Sequence, residues 1–131
     1  MEKKIVNPWT WQDQFGFVQA VDTKGAQRVV YCAGQTSVDE NGVPLHAGDM
    51  RAQVGQALDN LETVLEKADL NLSNVVRLSI YTTDVDALIS VMDVSVTRLA
   101  EGNCNAAQTL LGVARLAFPD LMVELEATAV A

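Results

Sequence analysis

Residues 121–130, LMVELEATAV, alternate with a period of two. Leu121, Val123, Leu125, Ala127 and Ala129 fall on one side of an extended chain, and Met122, Glu124, Glu126, Thr128 and Val130 on the other. Successive side chains of a strand point to opposite faces, so this segment is a strand with one wholly apolar face. Such a face has to be buried under a second layer. Residues 47–68 supply one. Met50, Val54, Ala57, Leu58, Leu61, Val64, Leu65 and Ala68 recur at three- and four-residue intervals, while Arg51, Gln56, Asp59, Glu62 and Glu66 fall opposite. That is the stripe of an amphipathic helix.

The remaining elements follow from the same periodicities. Residues 75–82, VVRLSIYT, read as a strand rich in branched side chains. Residues 84–101 read as a second helix, with Asp84 as N-cap, a buried stripe of Val85, Leu88, Ile89, Met92, Val96 and Leu99, and Gly102-Asn103 at its end. Residues 107–115 form another strand, separated from the last by Phe118-Pro119-Asp120. Near the N-terminus, residues 2–6 suit a short edge strand. Residues 16–22 and 27–33 flank Thr23-Lys24-Gly25 and read as a hairpin. Asp39-Glu40-Asn41-Gly42 carries turn chemistry in the loop that follows. The order is β-β-β-α-β-α-β-β, an α+β arrangement of a mixed sheet with two helices on one face. A chain of 131 residues suffices for one such domain, spanning residues 1–131.

Two helices leave the other face of the sheet open. On the strand at 107–115, Thr109, Leu111 and Val113 share one side and Gln108, Leu110, Gly112 and Ala114 the other. Grouping the second set with Met122, Glu124 and Val130 gives a semi-apolar face. Left in water it would be a sizeable patch, so another subunit is expected to cover it. Composition does not choose between two-fold and three-fold symmetry.

Composition removes several classes of function. Lys+Arg is 9 against Asp+Glu of 17, a net charge of −8. Nucleic-acid binding needs a basic patch, and the longest basic run is Lys3-Lys4, so no nucleic-acid partner is expected. No run of about 18 apolar residues suggests a membrane span. The start, MEKKIVNPWTW, has no apolar segment after its lysines and does not resemble a secretory signal. Cys32 and Cys104 lie far apart and outside any C-x-x-C pair; they read as buried thiols in a reducing compartment, the cytoplasm. His46, the sole histidine, sits among Pro44, Leu45 and Gly48 and reads as a loop residue. No metal site, P-loop or G-x-G-x-x-G pattern occurs.

Taken in order, several segments resemble one family. GFVQAV (16–21) is similar to its G-P-Y-V-Q-G stretch, and CAGQTSVDENGVP (32–44) to its strand ending in S-G-Q. QALDNLETVLEKADLNLSNVVRLSIYTTDVD (56–86) resembles its helix, short loop and central strand. VARLAFPDLMVELEATAVA (113–131) resembles its V-A-R-L-P…V-E-I-E-A-I-A signature. The family is RidA/YjgF, also labelled endoribonuclease L-PSP. The resemblance implies a chorismate-mutase-like fold and a homotrimer whose sheets form an internal barrel, with small-molecule clefts between subunits. It also implies hydrolysis of reactive enamines and imines to a 2-oxoacid and ammonia, without cofactor or metal.

That chemistry needs a fixed substrate carboxylate, a water aimed at the C=N carbon, and a group to manage protons. Carried over by the resemblance, the water-orienting glutamate is Glu124 and the turn glycine is Gly34. The aromatic of the cleft wall is Phe17, without the usual tyrosine hydroxyl. The family's P-A-R-[ST] segment becomes Ala106-Ala107-Gln108-Thr109, so Gln108 stands where an arginine would grip the carboxylate. Met92 takes the place of an asparagine, and Leu110 lies two residues beyond Gln108. From its residues alone, Glu124 reads either as a solvated strand side chain or as a cleft group. Arg115 is expected to face away from Gln108, while Arg77 or Arg98 could substitute from a neighbouring subunit. Trp9 and Trp11 suit packing or an interface. The expected function is a deaminase-like hydrolase with an atypical substrate; the alternative is a non-catalytic, small-metabolite-binding trimer. The acidic charge and the lack of a base–acid pair argue against ribonuclease activity, and nothing in the sequence points to a chaperone role.

Overall fold

The computed structural model describes residues 1–131. The elements are β1 (Glu2–Val6), β2 (Ala20–Lys24), β3 (Val29–Tyr31), β4 (Gln35–Thr36), α1 (Met50–Lys67), β5 (Val75–Thr82), α2 (Val85–Ile89), α3 (Met92–Glu101), β6 (Ala107–Gly112) and β7 (Val123–Val130). β7 is the spine of a five-stranded sheet ordered β3-β7-β5-β6, with β4 also on β7. β3 and β4 run along one edge of β7, and β5 runs antiparallel along the other. β6 lies parallel to β5 and forms the sheet edge.

The core matches the two periodicities that predict it. Leu121, Val123, Leu125, Ala127 and Ala129 are all buried. Val123, Leu125, Ala127 and Ala129 join Val54, Leu58, Leu61 and Leu65 of α1 and Leu78 and Ile80 of β5 in one hydrophobic cluster. Burying a Leu side chain contributes roughly 1.5–3 kcal/mol relative to leaving it in water. α1 starts at Met50, the first residue of its stripe and three residues after the start of the 47–68 range, because Asp49 caps it by accepting from the Ala52 amide at 3.0 Å. Gln53, fully buried in α1, donates to the Asp120 carbonyl at 2.7 Å and accepts from the Met122 amide at 2.8 Å. It thereby fixes the loop that leads into β7.

Several sequence expectations change, among them the strand at 107–115, which ends at Gly112. The hairpin at 16–33 does not form: β2 pairs with β1, Ile5 opposite Val21, and β3 pairs with β7, Val30 opposite Ala129. Gly25, at φ 73°, turns the chain from one sheet toward the other. Pairing with β7 buries more, since Val30 then packs against the core. The second helix breaks at Ser90-Val91. The Ser90 hydroxyl donates back to the Ala87 carbonyl at 2.6 Å, and Val91 leaves the helical region at φ −120°. Asp84 caps α2 as expected, accepting from the Ala87 amide at 3.0 Å. Val130, assigned to the open face, is buried, at 4% exposure. Gln108 and Leu110 also change sides, as described below.

One face of the sheet carries no helix. Tyr31, 80% exposed, stands there with Leu111, Arg77 and Glu126. Both cysteines are free and buried, and burial pushes the Cys104 thiol up to about 11 and the Cys32 thiol upward as well. No helix is long and apolar enough to cross a membrane.

Two outcomes follow from this core. Leu58→Ala is expected to lower unfolding free energy by about 2–5 kcal/mol in chemical denaturation, because Leu58 is fully enclosed. Ellman's reagent is expected to leave both cysteines unmodified in the native protein at mildly alkaline pH and to label both after denaturation, since only an exposed thiolate reacts.

Candidate functional site

The edge strand β6 is where sequence and site meet. The chain before β2 lies beside it: the Val18 amide donates to the Ala106 carbonyl at 3.1 Å, and Val18 bridges Ala107 in parallel. Gln108 strengthens this attachment, its amide Nε2 donating to the Gly16 carbonyl at 3.3 Å. Gly16 adopts φ 74°, which ends the short turn at Asp13–Phe15 and directs Phe17 toward β6. Trp11 packs edge-to-face on Phe17, with ring centroids 5.8 Å apart. Trp9 and Trp11 themselves remain 58% and 56% exposed.

Between this segment, β6 and α3 lies a cavity of about 490 Å³. Phe15, Phe17, Ile80, Met92, Val96 and Leu110 form its apolar wall, and Gln108 and Asp93 supply polar groups. The volume is typical of small-molecule sites. Four residues named from the sequence, Phe17, Met92, Gln108 and Leu110, therefore converge. The break at Ser90-Val91 also matters here, since Ile89 before it and Met92 after it both line the cavity.

Gly34 and Glu124 lie elsewhere, and they lie together. The β4–β7 pairing sets Thr36 opposite Glu124 and brings the Gly34 backbone under the carboxylate. A Cβ on Gly34 would fall 2.6 Å from Glu124 Cδ, so a glycine leaves room for the carboxylate in this position. Glu124 is half-buried and neighbours Tyr81 across β5.

The grouping of Gln108, Leu110 and Glu124 on one face is thus corrected. β5 separates β6 from β7, and in the parallel register Gln108 stands beside Leu78 and Leu110 beside Ile80. Leu78 and Ile80 are buried under the helices, so Gln108 and Leu110 share the helix side. Glu124 stands beside Tyr81, on the open side. Within one chain the two sets point away from each other.

The arginines are accounted for. Arg98 donates to Asp59 Oδ1 at 2.8 Å and Glu62 Oε2 at 2.6 Å, which ties α3 to α1. Arg77 lies on the open side and donates to Thr109 Oγ1 at 2.7 Å. Arg115 donates to the neighbouring Leu116 carbonyl. None of them lines the cavity. His46 lies exposed in a loop, and no group of three or more His, Cys, Asp or Glu side chains is placed to hold a metal. Sequence reasoning missed Asp93 and Phe15. Asp93 follows Met92 directly and was readable as its neighbour; the position of Phe15 depends on how residues 13–17 fold back against β6.

A model of the endoribonuclease L-PSP family matches residues 12–131. A 2-iminobutanoate/2-iminopropanoate deaminase of Salmonella typhimurium is 30% identical over 115 residues, 87% of this chain and 86% of that protein. Among solved structures, a Rid-family protein of unknown function from Yersinia pestis superposes with a TM-score of 0.88 at 34% identity over the full length of both chains. The YjgF gene product of Escherichia coli gives 0.70 at 30% identity over 86% of each. With this fold and a match spanning all but its first residues, the chain belongs to the endoribonuclease L-PSP family, the group also called RidA/YjgF.

Proposed function

We propose that the protein is a cytoplasmic homotrimer with small-molecule clefts between its subunits, acting as a cofactor-independent enamine/imine deaminase-like hydrolase on an atypical substrate. One observation carries the reading: the cavity with Gln108 and the carboxylate of Glu124 lie on opposite faces of a single sheet. If both serve one site, the carboxylate must come from another copy of the chain. The uncovered sheet face, with Tyr31 and Leu111 exposed, supplies a surface for that copy. The free, buried cysteines suit a reducing compartment.

In this reading the substrate's apolar part enters the cavity against Phe17, Met92 and Leu110, and its C=N group lies at the mouth. Glu124 orients a water and accepts its proton as oxygen bonds to the C=N carbon. The C=N π electrons pass to nitrogen, which takes that proton from Glu124; Glu124 then carries the new hydroxyl's proton to nitrogen as the C–N bond breaks, releasing ammonia and leaving a carbonyl. The Salmonella relative's name specifies imino acids; Gln108 supplies no charge to hold such a carboxylate. Replacing a buried charged partner by a neutral one costs on the order of 2–5 kcal/mol of binding, or roughly 30- to 5,000-fold. A second reading, a non-catalytic metabolite binder, is favoured by the bond between Gln108 and the Gly16 carbonyl, which gives the amide a structural task.

Two measurements test this. Light scattering on the purified protein is expected to give the mass of three chains; a monomer would sink the shared-cleft reading. Ammonia release from imines generated in situ is expected to be slow for 2-imino acids and to rise about tenfold or more in Gln108→Arg, while Glu124→Gln abolishes it. Absence of turnover in both native and Gln108→Arg protein selects the binding reading.

A further inference from the structure

The cavity wall carries one formal charge. Of its eleven lining residues seven are hydrophobic, and neither lysine, arginine nor histidine is among them. The charge is Asp93, on the first turn of α3. Arg51 of α1 already neutralises it with two parallel contacts, Nη1 to Oδ2 at 2.8 Å and Nη2 to Oδ1 at 3.0 Å. A planar guanidinium satisfies a carboxylate best in this arrangement. The bond to Arg51 also holds the Asp93 carboxyl below its usual range, so Asp93 stays ionised at neutral pH.

Three consequences follow for a ligand. A carboxylate entering the cavity would lose water and meet no free cation on this chain's wall, only the already paired carboxylate of Asp93. A cation would find that anion paired and would have to displace Arg51. A neutral molecule pays neither cost. Gln108 adds a hydrogen-bonding edge without charge. One N–H is engaged by the Gly16 carbonyl, which leaves the other N–H to donate and Oε1 to accept.

We infer that the cavity selects neutral, mainly apolar ligands bearing one amide-, imine- or hydroxyl-type group, and that Asp93, with Arg51 clamped on it, excludes carboxylates. The inference rests on the small-molecule reading above and deepens it by naming the ligand class. Asp93 is then a specificity-determining residue: by holding the Arg51 guanidinium in a bidentate pair, it keeps that guanidinium from serving as an acid-binding group.

The test uses matched probes of nearly equal shape, 3-phenylpropionamide against 3-phenylpropionate and isovaleramide against isovalerate, titrated into the intact protein by calorimetry at neutral pH. The amides are expected to bind about tenfold tighter or more than their acids. In Asp93→Asn, which releases Arg51, that preference is expected to narrow or reverse. Leu110→Trp, which fills the cavity, is expected to weaken all four probes, with circular dichroism to confirm that it folds. Carboxylates binding the native protein as well as the amides would overturn the inference and leave the cavity's role intact. Failure of every probe to bind would remove the small-molecule reading, and this inference with it.

Discussion

Burial of one face of β7 under α1 organises this molecule. β7 is paired on both edges, by β3 and β4 on one side and β5 on the other, so its backbone groups are spent within the sheet. Its alternate side chains, Leu125, Ala127 and Ala129, then have to meet an apolar layer, and Leu58, Leu61 and Leu65 of α1 provide it. A one-residue slip of β7 would put Glu124 and Glu126 into that core. Register is therefore fixed strongly, and with it the place of every residue on the strands beside β7.

The candidate site inherits this rigidity. Because β5 lies between β6 and β7, the register that buries Leu78 and Ile80 also sends Gln108 and Leu110 to the helix side and Glu124 to the open side. The cavity is then closed by elements outside the sheet: the segment ending at Phe17, fastened to β6 through Val18 and Gln108, and the start of α3 after the break at Ser90.

Cations are scarce in this acidic chain, and the structure commits several of them to internal tasks. Arg98 joins α3 to α1 through Asp59 and Glu62, and Arg51 joins the same helices through Asp93. Arg28 donates to the Ala68 carbonyl beyond the end of α1. These surface pairs add little stability individually. Their larger effect is local: guanidinium groups near the cavity are held on carboxylates of the protein itself, so the cavity wall is close to neutral.

The sequence by itself determined most of the element order and the core. Period-two alternation in β7 and three-and-four spacing in α1 each depend only on neighbours within one element, and they held. Asp84 as a cap and the turn at Asp39–Gly42 are equally local: the Asp39 carboxylate accepts from the Asn41 and Val43 amides. The ordered segments from Gly16 to Ala131 likewise carried the family resemblance. What alternation cannot say is which side of one strand matches which side of another, because that depends on pairing partners remote in sequence. For this reason the side of Gln108, the partner of β2, and the meeting of Arg51 with Asp93 were decided by the tertiary structure alone. The cavity belongs with them. It is a gap between elements, and its walls come from chain segments that only packing brings together.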